Sequence, residues 1–387
     1  MIPLGLSRSE QAAFHRALVA DHRVIRPRVA LCSLTHAPVR DLTAHMVQGT
    51  VTIDVESEIT RSLALTLHDP DGRLGLDSGS VTEVRSVSNR MVSALWSIWV
   101  DELDRWVTVP VFCGPVTKVD REDDTLTLEG QGKERLAMRQ GWRVRTWAKR
   151  ASRHSVIRSV LAEVAGETRF RWPSGWKGRI GEPVSMSRMM RPWPLAQKLA
   201  RASRAQLFYD GRGAATLRKT PTRPVWRFTR DQQVTNPRVS WDGLTEVNTI
   251  VVTGAAPKGK KEPVTATATL PDWHPASPTQ LDRGGRGGRM VEEISDDTLT
   301  STTAAENAAQ RRLAEIMLSD TTIEAEVIGI PHLEELDPIR VDLDGGDTAV
   351  ARLRRYSFDL TTGQATLGWD RRQSWRLRAR RMKERRW

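Results

Sequence analysis

The chain has 387 residues, 39% hydrophobic and 27% charged, enough to bury a core in two or three domains of roughly 100–200 residues each. No run approaches the ~20 apolar residues of a membrane-spanning helix, and the early polar turn at Ser7 argues against a secretory signal. The formal charge of +12 is concentrated, because residues 371–387 hold nine Arg/Lys and one Glu and leave +4 for the other 370.

Two cysteines, Cys32 and Cys113, supply neither a disulfide framework nor a cysteine zinc cluster, which fits synthesis in a reducing cytosol. A helix is expected from Ser9 to about Val19. Alternation then takes over: Val51, Ile53, Val55, next Leu63, Leu65, Leu67 before the turn Asp69-Pro-Asp-Gly72, then Val107, Val109, Val111 and Leu126, Leu128. Each set lines one face of a half-buried antiparallel strand. From Trp147 the period becomes helical. Val156, Ile157, Val160, Leu161 and Val164 make a stripe closed by Gly166, a left-handed cap. A second helix starts near Pro194, followed by strand 206–209, a turn at Asp210–Gly213, and a strand ending near Lys219.

Strands resume over 226–255. Residues 256–300, with Lys258–Lys261, five prolines and Gly284-Gly-Arg-Gly-Gly288, read as an exposed, mobile loop. Thr303 to Glu306 is a capping-box pattern opening a helix through Leu318. Ile339, Val341 and Leu343 alternate, and Tyr356, Phe358, Leu360 face Ala365, Leu367, Trp369 across a turn at 361–364. The fold class expected is mainly β with an α+β insert. The boundaries expected are an N-terminal helix in 1–23, a first β domain in 24–146, the insert in 147–225, a second β domain in 226–370 with its long loop, and a basic tail in 371–387.

Catalytic patterns are missing. The eight histidines show no HxxxH or HxH spacing, and there is no GxSxG elbow, GxxxxGK[ST] loop or strand-linked GxGxxG. Cys113, at a strand end in Phe112-Cys-Gly-Pro115, reads as a small buried hydrophobe. Asp69–Asp77 lacks the acidic positions of a calcium loop and reads as a turn, as does Leu343–Asp347. No enzyme activity, cofactor or metal is expected. Fourteen tryptophans against two tyrosines, clustered at Trp96, Trp99, Trp106 and at Trp172, Trp176, Trp193, suit either core packing or interface anchoring.

Several segments, taken in order, resemble a phage tail protein. Phe14–Arg23 with Arg26-Pro-Arg-Val29 is similar to the opening of tail proteins from phages of actinobacteria. Gln48–Asp54, Thr60–Gly72, Val109–Gly114, Ala196–Gly213 and Asn248–Gly254 fit their later elements. Pro331-His-Leu-Glu-Glu-Leu-Asp-Pro-Ile-Arg-Val341 is similar to a late strand of hub domains, with Leu336 where glycine is usual. The family implied is the baseplate hub, similar to that of T-even phages and to the hub portion of type VI secretion spikes. That resemblance implies two tail-tube-like β-barrels per subunit, and a homotrimer adapting a hexameric tube to a threefold tip. Its implied partners are a distal tail protein, the tape-measure C-terminus and other tail-tip or receptor-binding proteins. It implies a place at the virion tail tip, and the departure from longer members, a basic tail in place of a fused hydrolase or needle domain, puts a lytic role in doubt.

Two other readings compete with the hub: a carbohydrate- or cell-wall-binding tail protein using exposed tryptophans, and a nucleic-acid-binding protein using the basic arm on exiting genome. In that arm Arg372, Arg376, Arg380 and Lys383 would form one positive stripe of a helix, flanked by Trp375 and Met382. Those four cations with Trp375 and Trp387 are the partner-binding residues expected, and docking on another tail protein is the preferred role.

Overall fold

The computed structural model describes residues 1–72, 74, 89–139, 144–172, 178–180, 183–203, 205–219, 221–241, 247–256, 262–272, 277–283, 288–296, 299, 301–316, 321–342 and 348–370. The chain is mainly β with an α+β insert, and divides into two compact units. The larger comprises 1–236 and 325–368; the smaller includes 237–324. Among the described residues no helix is long and apolar enough to cross a membrane.

The larger unit opens with helix α1 (Arg8–Leu18), started by a capping box in which Ser7 and Glu10 satisfy each other's backbone N–H groups. Strands β1 (Ile25–Ser33), β2 (Pro38–Asp41), β3 (Met46–Asp54), β4 (Arg61–His68), β5 (Arg90–Val100), β6 (Arg105–Glu122) and β7 (Thr125–Gln131) follow, then the short helix α2 (Glu134–Ala137). The 18-residue β6 serves two layers, pairing through Pro115 with β5 and from Val116 with β7. The register shifts between Val116 and Lys118, a bulge that lets one strand turn from one layer into the next.

The insert contains β8 (Arg145–Trp147), α3 (Arg153–Ala165), β9 (Phe170–Arg171), β10 (Val184–Met186), α4 (Pro192–Ala202), β11 (Ala205–Tyr209) and β12 (Ala215–Lys219). Gly166 ends α3 at φ 66°, and Pro192 opens α4 where its missing N–H costs nothing. Val156, Ile157, Val160 and Leu161 pack with Ala196, Leu199, Leu207 and Trp193 in the insert's own core. The smaller elements β13 (Trp226–Phe228), α5 (Arg230–Gln233) and β14 (Val234–Trp241) come next.

The smaller unit has β15 (Thr249–Gly254) at the centre of a sheet, antiparallel to β16 (Thr265–Thr269) and parallel to β17 (Val291–Asp296). Between these lies helix α6 (Pro278–Arg283). Two strands and a helix therefore occupy the span expected to be a loop, which is the main correction to the secondary-structure reading. In Thr265–Thr269, threonine and alanine alternate, so burial falls on Ala266 and Ala268 and the inward face carries few large side chains to read. Lys258–Lys261 and Gly284–Gly287 lie outside the described residues. Helix α7 (Thr302–Ile316) covers this sheet with Ala305, Ala309 and Leu313. Its cap is Ser301, whose hydroxyl accepts from the Ala304 N–H at 3.2 Å, two residues before the expected cap at Thr303.

The chain ends in β18 (Thr321–Ile328), β19 (Pro338–Asp342), β20 (Thr348–Arg352), β21 (Arg355–Asp359) and β22 (Gln364–Asp370). The last hairpin has the register expected, Tyr356 opposite Leu367 and Phe358 opposite Ala365. Its partner differs from the expected boundary at 226, because β21 pairs with β3 of the first β region, Tyr356 opposite Ile53. Alternation shows which face is buried, but not which distant strand completes the ladder. The resulting order is β22-β21-β3-β4-β7-β6-β5-β1-β2. Trp96 of β5 meets Phe358 of β21 edge-on at 5.6 Å, so the two layers pack face to face.

Candidate functional site

The residues expected to bind a partner (Arg372, Trp375, Arg376, Arg380, Lys383 and Trp387) lie outside the described residues. Among the described residues, the densest cluster of chemical groups is instead a buried charge network where the insert meets the β layers of the larger unit. Arg61 of β4 is buried, donates to the Val111 carbonyl at 2.9 Å and forms an ion pair with buried Glu334. The Gly211 N–H of the insert hairpin donates to Glu334 Oε1 at 3.4 Å. Asp337, fully buried, takes the Met1 ammonium at 2.5 Å and Arg218 of β12 at 2.9 Å. Glu134 of α2 accepts from Thr60 Oγ1 at 3.2 Å and from the Tyr209 N–H at 3.4 Å.

A second branch runs beside it. Lys133 Nζ lies 2.5 Å from Glu167, donates to the Gly213 carbonyl at 3.2 Å, and reaches His36 Nε2 at 3.2 Å. With Nε2 accepting, the His36 proton sits on Nδ1, 3.3 Å from Cys113 Sγ. Burial pushes the Cys113 thiol up to about 12, so it stays protonated and unreactive, as the sequence reading expected. Arg218–Asp337, Lys133–Glu167 and the Gly211 N–H on Glu334 cross the junction, so the network pins the insert to the sheets. Close approach matters too: a Cβ at Gly211 would run into the Pro110 carbonyl. Gly211→Ala is expected to lower the thermal midpoint of the larger unit, more than alanine at exposed Gly5, where no neighbouring atom is met.

Burial pushes the Glu334 carboxyl up to about 7, against the pull of Arg61, and that of Glu335 up to about 8. Burial also pushes His332 down to about 3 and His36 down to about 4. The signs oppose one another. The raised carboxyls contribute stability that is complete below their ordinary value of 4.5 and fades as pH rises through about 7 and 8. The depressed histidines contribute stability that is complete above 6.5 and is lost as pH falls towards about 3 to 4. Thermal unfolding against pH should therefore peak at about 5 to 6, and Glu335→Gln should flatten the alkaline limb alone. A wild-type midpoint that climbs steadily from pH 6 to 9 would contradict this account.

A tail protein from Neisseria meningitidis superposes with a TM-score of 0.59 at 14% identity, over 89% of this chain and 96% of its own. The 43 kDa tail protein of prophage MuSo2 from Shewanella oneidensis gives 0.58 at 11% identity, over 89% and 98%. This chain has the fold of phage tail proteins. No family model and no curated protein sequence matches it. The likeness spans the β layers and the insert together, because nearly the full length of both neighbours is covered. Within the motif 331–341, Leu336 adopts φ 55°, the left-handed conformation that glycine enters freely. Flanking it are Glu334, Glu335 and Asp337, so the motif marks the turn that carries three acids into the junction.

The sequence shows this motif but not its role. Arg61 and Glu334 are 273 residues apart, and spacing alone gives no hint that one neutralises the other. Of the two tryptophan clusters, Trp96 and Trp193 are core residues, Trp193 stacking on Tyr209 at 5.3 Å. Trp99 and Trp106 pack edge-on at 5.7 Å, with Arg26 over the Trp106 ring at 4.4 Å.

Proposed function

We propose that this chain is a structural protein of the virion, a trimeric baseplate hub at the distal end of a phage tail. The observation that carries the reading is the near-complete coverage of two tail proteins by one continuous fold. In it, three copies bring six tube-like barrels to one ring, adapting a sixfold tube to a threefold tip. The pinned insert supports such a role, since a ring component needs its parts held at fixed angles under load. The chain acts by assembly and not by catalysis, with a distal tail protein and the C-terminus of a tape-measure protein as neighbours. Residues 371–387 dock on an adjacent tail protein, with Trp375 and Trp387 as apolar anchors. Chemical cross-linking of intact particles followed by mass spectrometry tests this. Cross-links from this chain to tail-tube and tape-measure proteins are the expected result; cross-links confined to the capsid would overturn it.

A further inference from the structure

Positive charge is unevenly shared within this chain, and the terminal tail holds only part of it. Residues 144–219 carry seventeen Lys and Arg against four Asp and Glu, a net of +13, so everything outside this lobe and the tail sums to −9. The basicity of the body is therefore a property of the insert. Arg150, Arg158, Arg169, Arg179 and Arg188 are exposed and have no carboxylate partner among the described residues. A net positive charge of this size on one lobe is the electrostatic footprint of a polyanion site.

One face of α3 gives the footprint a shape. A groove of about 390 Å³ runs along it, lined by His154, Ser155, Arg158, Ser159, Glu163 and Trp172. The serines are short, so the groove stays open between the helix and the indole. Glu163, its carboxylate, is already answered by Arg145 and by the Ser159 hydroxyl at 2.5 Å. Trp172 packs against Phe170 at 5.6 Å, Arg158 lies over the Phe170 ring at 5.0 Å, and His154 is 6.2 Å from Trp172. The Trp172 indole N–H has no partner among the described residues. Cationic groups interleaved with half-buried rings are what a single strand of nucleic acid requires, phosphates for the arginines and a base face for the ring.

We propose that this groove binds a nucleic-acid strand, with phosphates on Arg158 and the surrounding basic residues and a base against Trp172. A polyol-phosphate chain would satisfy the charge but offers no flat face to the ring, and a neutral glycan would leave the arginines unanswered. An acidic peptide matches the charge without needing the indole. The inference goes beyond the hub reading and does not depend on it.

The test is fluorescence anisotropy of a labelled oligothymidylate of about twelve nucleotides with the full-length chain, over a range of salt. Arg158→Ala should reduce the slope of log affinity against log salt by about one. Trp172→Ala should weaken binding by about tenfold or more, and Trp172→Phe should restore most of it. Deleting 371–387 should leave both effects in place. The proposal is overturned if Arg158→Glu and Trp172→Ala bind as the wild type does. Loss of all binding with the 371–387 deletion alone also overturns it, as does equal competition by polyglutamate or a glycerol-phosphate polymer of the same charge.

Discussion

Arg61→Ala is expected to destabilise the larger unit by about 3–5 kcal/mol at neutral pH, because it strands Glu334 in a site that excludes water. The loss should grow with pH. Glu334 is already pushed up to about 7 by burial, so without the guanidinium it takes up a proton more readily and the damage is smaller in mild acid. The lost bond to the Val111 carbonyl adds to the cost, since that strand also carries the Pro110 contact with the insert. Combining Arg61→Met with Glu334→Gln should recover much of the loss, since removing both charges avoids the uncompensated one. Thermal melts of the two single variants and the double variant at pH 5.5 and 8 would check this. Equal, additive losses at both pH values would mean the pair is not coupled.

Trp96→Ala is expected to cost about 3–5 kcal/mol, a large share of the roughly 5–15 kcal/mol by which folded domains are stable. The indole is fully buried between the two β layers, edge-on to Phe358, and Gly363 approaches its ring from the neighbouring hairpin turn. No smaller residue fills that space without a cavity, because the facing side chains come from strands held in their own ladders. Trp96→Phe should lose less, retaining the aromatic contact. The readout is denaturant unfolding followed by far-ultraviolet circular dichroism, and a change under 1 kcal/mol would place the core elsewhere.

Much of the fold was legible because the residues announce their period locally. The α3 stripe with Gly166 after it, the 205–219 hairpin and the 355–370 hairpin each depend on neighbours in sequence. What escaped was long-range or quiet. The pairing of β21 with β3 joins segments some three hundred residues apart, and the Thr-Ala alternation of β16 carries too little apolar bulk to register as a strand. The buried network was hidden for a related reason. Glu334, Glu335 and Asp337 look like a solvated acidic turn until Arg61 and Arg218 arrive from other parts of the chain. The concentration of charge in 144–219 was present in the sequence, but the more extreme tail drew the eye from it.

The proposed hub role requires this chain to form a ring at the end of a tail. Electron cryomicroscopy of intact particles, reconstructed at the tail tip without imposed symmetry, decides whether it does. Three copies should appear in one ring, each contributing two barrels to a pseudo-sixfold wall continuous with the tube. Six copies contributing one barrel each, or density for this chain only away from the tip, would contradict it.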